Sequence, residues 1–174
     1  MAAVTVGPSA MWYLTRASGA VALVLLTASV VIGVAAIARM RAPGVPRFII
    51  DGIHRTASLL AVAFLVVHIL TAVLDSFASI SLLDAVIPFI GSYRPLWLGL
   101  GAVAFDLLLA VAITSLMRAR MGHSAWRGIH WLAYAAWPIA VVHGFGTGSD
   151  VQQTWLVGIT AACVVTVRSP WWLA

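Results

Sequence analysis

The chain has 174 residues, of which 63% are hydrophobic and only 9% charged, with a formal net charge of +5 and a mean hydropathy of +1.05. That composition excludes an ordinary soluble domain and points to the membrane. Every basic residue is an arginine and every acidic one an aspartate, so the high isoelectric point reads as membrane topology, and nucleic acid is not expected as a partner.

Crossing the ~30 Å hydrocarbon layer takes about 20 helical residues, and five stretches approach that length. The first covers residues 11–38 and opens on the interfacial pair Trp12 and Tyr13, with Arg16 about a turn inside. Its end resembles a signal-peptide cleavage site at Ala36-Ile37-Ala38. With no basic segment before it and arginines after it, it is expected to stay as a helix. Residues 39–48, with three arginines and two prolines, form an exposed loop. A second span covers residues 52–74. Residues 75–91 are apolar but interrupted by Asp75, Asp84 and Pro88, and the spacing of Leu82, Leu83, Val86 and Ile87 suggests a helix lying in the interface.

Arg94-Pro95 opens the third span, which runs to residue 117, proline being suited to a first helical turn. Residues 118–127 read as a second arginine-rich loop. The fourth span, residues 128–145, contains Pro138 and should kink there. After a polar link, the fifth span covers residues 154–167 and ends at Arg168 and the Trp171-Trp172 belt. Eight arginines fall on one side (Arg39, Arg41, Arg47, Arg55, Arg118, Arg120, Arg127 and Arg168) and two on the other (Arg16 and Arg94). The positive-inside rule then puts the N-terminus outside and the C-terminus in the cytoplasm, in a multi-pass plasma or inner membrane protein. Residues 1–174 are read as one domain, an all-α integral-membrane bundle of five transmembrane helices plus a short interfacial helix.

Four of the five histidines stand in two pairs, His54 with His68 and His130 with His143, fourteen and thirteen residues apart. These separations correspond to roughly 21 and 20 Å of helix, so two layers at matching depth are expected on spans that run in the same direction. Fourteen residues bring His54 and His68 onto one helix face. Thirteen leave His130 and His143 about 140° apart on an ideal helix, a mismatch that a kink at Pro138 would remedy. Imidazoles bracketing apolar runs suit the axial positions of haem iron, and two per iron favour electron transfer. Two stacked bis-histidine haem b groups are therefore expected, whereas a zinc site would want its ligands in a single cluster.

Arg55 and Arg127 flank the inner layer and Arg16 and Arg94 the outer one, and all four are candidates for the haem propionates. Gly19 and Gly33, also fourteen apart, would let the first span approach the porphyrins closely, or simply pack against a neighbouring helix. Asp106 sits mid-span, either protonated and hydrogen-bonded or on a proton path. His123 should be solvated in its loop, and Cys163 is a lone core residue.

On His54-x13-His68, His130-x12-His143 and the text WYLTRASG, SYRPLWLGLGAVAFD and WRGIHWLAYAAWPIAVVHG, the chain resembles the ferric-reductase-like transmembrane domain family. That family includes the membrane cores of NADPH oxidases and ferric reductases and the haem subunit of bacterial methionine-sulfoxide reductase systems. The resemblance implies His54 with His130 on an inner haem, His68 with His143 on an outer haem, and electrons crossing from the cytoplasm outward. It also implies a role for Arg16 near the outer haem. No flavin- or nicotinamide-binding segment follows, so a separate reductase or quinol is expected as donor and an extracytoplasmic redox protein as acceptor. Two other functions remain open. One is a non-redox membrane subunit or transporter using the buried histidines and Asp106 for protons or metal; the other is direct reduction of oxygen or ferric iron at the outer edge.

Overall fold

The computed structural model describes residues 9–37, 46–76, 79–147 and 153–168. Arg39, Arg41 and the start of their loop, most of the polar link after Thr147, and the Trp171-Trp172 belt lie outside them. Among the described residues there is no strand. The helices are α1 (Ala10–Ile37), α2 (Arg47–Leu74), α3 (Leu82–Val86), α4 (Pro95–Leu116), α5 (His123–His130), α6 (Leu132–Thr147) and α7 (Thr154–Arg168). The chain is an integral-membrane protein: α1, α2 and α4 are each long and apolar enough to cross a bilayer. α6 has 16 residues, about 24 Å of helix, and α5 extends it past a break at Trp131. α7 is a shorter apolar helix.

Three local features differ from the sequence reading. The segment 118–127, expected as a loop, is a 3-10 turn at Arg118–Arg120 followed by α5, with His123 as its exposed first residue. The interfacial helix is only five residues long, ending just before Pro88, and its start is fixed by a capping box in which Ser81 Oγ accepts from the Asp84 N–H and the Asp84 carboxylate accepts from the Ser81 N–H. Asp84, read as interrupting the apolar run, thus caps the short helix expected there. The fourth span breaks at Trp131, whereas the helix runs on through Pro138. At the break the Trp131 N–H still bonds back to Arg127 O, and the Tyr134 N–H bonds to Trp131 O in a tight three-residue turn.

Small residues set the packing. α1 turns Ser18, Ala22, Ser29 and Val30 inward, and α2 meets them with Ala57 and Ala61, so the two backbones approach closely along their length. Ser58 Oγ donates to Ser29 Oγ at 3.2 Å. α4 lies along α6 in the same antiparallel manner, with Gly146 directly against the Trp97 ring. α2 packs extensively on α1 alone, and the face next to that contact borders an internal space. α1 joins the two halves at mid-height, where Trp137 Nε1 donates to Thr27 Oγ1 at 2.9 Å.

Two further hydrogen bonds close the end of the bundle that carries His68 and His143. Ser9 Oγ donates to Asp75 Oδ1 at 3.1 Å, linking the start of α1 to the end of α2. Arg94 Nη1 donates to Gly146 O at 2.7 Å, linking the start of α4 to the end of α6. Arg94 takes up left-handed backbone at φ 40° as it precedes Pro95.

Candidate functional site

Among the described residues no large side chain is fully buried. The middle of the bundle is instead a cavity of about 1340 Å³ bordered by α1, α2, α4, α5 and α6. That exceeds the roughly 300–1,000 Å³ of a pocket for one small ligand. All four paired histidines line it.

They face one another in two layers. The His54 and His130 ring centroids are 6.2 Å apart with planes at 61°, and those of His68 and His143 are 6.3 Å apart with planes at 88°. Two imidazoles sharing one metal at about 2.0–2.1 Å per bond have centroids roughly 6.3 Å apart. Each pair is therefore spaced to hold one ion centrally. Among the described residues no group of three or more His, Cys, Asp or Glu gathers at one point, so any ion in a layer would take its other ligands from a non-protein group.

Three of the four rings are oriented in the same way. His68 Nδ1 is 2.8 Å from Thr15 O, His54 Nδ1 is 3.1 Å from Ser29 O, and His143 Nδ1 is 2.8 Å from Trp97 O. A carbonyl partner fixes the proton on Nδ1 and leaves Nε2 as the metal-binding nitrogen. Four residues beyond each carbonyl, on the same helix face, stands a glycine: Gly19, Gly33 and Gly101. A Cβ on Gly19 would lie 2.8 Å from His68 Nδ1, and one on Gly101 only 2.5 Å from His143 Cε1. At Gly33 the distance to His54 Cε1 would be an ordinary 3.5 Å. Gly19 of α1 thus seats an imidazole ring, a role outside the two the sequence reading weighed, while both Gly19 and Gly33 also line the cavity.

His130 is held differently. Its Nδ1 is buried with no partner among the described residues. Its ring lies against Trp126, centroids 5.0 Å apart and planes at 31°, and the Arg118 guanidinium lies over that indole at 4.5 Å. The break at Trp131 separates His130, the last residue of α5, from His143 within α6. The break lies between the two histidines whose 140° mismatch had been assigned to Pro138, and Pro138 itself lies inside continuous helix.

Of the arginines read as propionate partners, Arg16 and Arg55 line the cavity, with Arg16 also 5.4 Å from the Trp12 ring. Arg94 is directed to Gly146 O, and Arg127 is exposed and not on the cavity wall. Arg118 does line it, and its place at the end of α4 was visible only as one more positive-inside charge. Gly101 was also missed, although its four-residue offset from Trp97 repeats that of Gly19 from Thr15. Asp106 is not on the cavity wall, and among the described residues it makes no hydrogen bond, so the expected hydrogen-bonded carboxyl is not found.

A family model described as ferric reductase like transmembrane component matches residues 17–141. No curated protein and no solved structure matches the chain.

Proposed function

The chain belongs to the ferric-reductase-like transmembrane family, and on that premise we propose that it is a membrane-embedded b-type cytochrome carrying electrons between the two faces of the membrane. The observation that carries this reading is the pair of facing imidazoles in each of two layers, at 6.2 and 6.3 Å, across one continuous cavity. His54 and His130 hold the inner haem b and His68 and His143 the outer one. Haem supplies a six-coordinate, one-electron iron centre when bound between two histidines. The chain's own residues do the rest. Thr15, Ser29 and Trp97 carbonyls fix the tautomer and direction of three imidazoles, Gly19 and Gly101 let two of them sit against the helix backbone, and Arg16 and Arg55 are placed for carboxylate groups at the two edges. The apolar wall keeps water from the layers.

α5 with α6, and α7, complete five crossings, the N-terminus lies outside the plasma or inner membrane, and the histidine layer near Arg118 and Arg55 is cytoplasmic. A separate reductase or quinol is the donor on that side, and an extracytoplasmic redox protein is the acceptor.

The test is a reduced-minus-oxidised spectrum with a pyridine haemochrome count on detergent-purified wild type, His68→Ala and His130→Ala. Two b haems in wild type and one in each variant are expected. Haem-free wild type from cells amply supplied with haem would overturn the reading.

A further inference from the structure

Asp106 is the twelfth of the 22 residues of α4, so its carboxyl lies near the middle of the bilayer. The α4 side chains that border the cavity include Ala104, Phe105, Leu108 and Val111; Asp106 is not among them. Its stripe continues one and two turns on to Leu109 and Ile113, which are 41% and 46% exposed, and Val103 and Ala110 beside it are small. The elements packed closely on α4 are α3, α5 and α6, and none covers this stripe. The carboxyl makes no hydrogen bond or ion pair among the described residues. Ionisable groups at this depth ordinarily face a bundle interior or pair with one another, and Asp106 does neither within the described chain.

We propose that the Asp106–Leu109–Ile113 stripe of α4 is the docking surface for a transmembrane helix of another protein that presents a basic side chain at mid-depth. The occupant follows from charge complementarity. An arginine guanidinium or lysine ammonium, donating to the carboxylate, satisfies in lipid the oxygens that this chain leaves open, and the small flank of Val103 and Ala110 admits a close backbone. A second copy of this chain is the poorer fit. Two-fold pairing of the stripe would set carboxyl against carboxyl, and no arginine falls in the middle third of α1, α2, α4, α6 or α7, so a copy brings no arginine to this depth.

The experiment places the full-length protein, donor-labelled, in lipid bilayers with acceptor-labelled leucine-alanine transmembrane peptides carrying arginine, leucine or aspartate at their centre. Energy transfer should show the arginine peptide associating at least tenfold more tightly than the leucine peptide. Asp106→Leu should abolish that preference, and Ala110→Phe should block it sterically with the carboxyl retained. Both variants are checked for wild-type circular dichroism and melting, so that a misfolded one is replaced as evidence by the other. Equal association of all three peptides, or a preference that survives both variants, overturns the proposal. So does efficient disulfide cross-linking between copies through Leu109→Cys, which would make the stripe a homodimer interface.

Discussion

Replacing Gly101 by alanine should empty the outer layer and leave the inner one filled. A Cβ there would stand 2.5 Å from His143 Cε1 and 2.6 Å from Nδ1. To regain an ordinary 3.4 Å contact the ring must recede by about 0.9 Å, beyond the ~0.5 Å within which a ligand set must be held. It would also pull away from Trp97 O. Overpacking of this kind costs about 1–3 kcal/mol, and the gain in helix propensity on Gly→Ala is common to the filled and empty forms and cancels. Affinity for the outer cofactor should therefore fall roughly 5–150-fold. Gly19→Ala, with 2.8 Å to His68 Nδ1, should act in the same direction but less strongly, and Gly33→Ala, at 3.5 Å from His54, should keep both layers. Haem titration of the purified variants, read as haemochrome per chain, measures the series. Outer-layer affinity in Gly101→Ala equal to that of wild type, or loss in Gly33→Ala equal to that in Gly101→Ala, would refute the seating argument.

Three further outcomes are expected. The near-perpendicular planes of His68 and His143, at 88°, should give the oxidised outer centre a strongly anisotropic low-spin electron paramagnetic resonance signal that disappears in His68→Ala; a rhombic signal alone from that layer would contradict the ring geometry. Thr27→Val removes the acceptor of Trp137 Nε1, and its melting temperature in detergent should drop by an amount equivalent to about 0.6–1.7 kcal/mol, the usual range for a hydrogen bond between membrane helices. Arg94→Ala removes the charged donor to Gly146 O, for which about 1.5–3 kcal/mol is expected, read by the same melt and by looser retention of the outer layer; an unchanged melt would show that this bond does not hold α4 to α6.

The histidine layers were legible because spacing along a helix converts directly into depth and azimuth, and four histidines in apolar sequence have few other uses. The ends of α1, α4 and α7 and the end of α2 were legible from loss of hydropathy and from prolines, but α2 begins at Arg47, inside the stretch 39–48 read as a loop and five residues before the expected start, because the arginine and Asp51 hid an apolar first turn. The partners of the rings were not, since Thr15, Ser29 and Trp97 contribute their carbonyls, which every residue possesses. The glycine four positions on was the one readable trace, and it was noticed at Gly19 and Gly33 with a different role. The break at Trp131 left no proline or glycine signal of its own, so the mismatch between His130 and His143 was assigned to Pro138, whose lost N–H a membrane helix tolerates. Asp106 was placed at the right depth, but its azimuth relative to the cavity depends on how α4 rotates against α6, which an almost wholly apolar helix does not disclose.

The pairing of α2 with α1 and of α4 with α6, extended by α5, divides the membrane bundle into two leaves, and each histidine layer takes one imidazole from each leaf. The first leaf is contiguous in sequence, and the carbonyls that seat its two imidazoles both come from α1. Were haem held as proposed, its coordination would act as a pair of clasps joining leaves that otherwise meet through α1. On the proposed function, the folding yield in the membrane would then depend on cofactor supply.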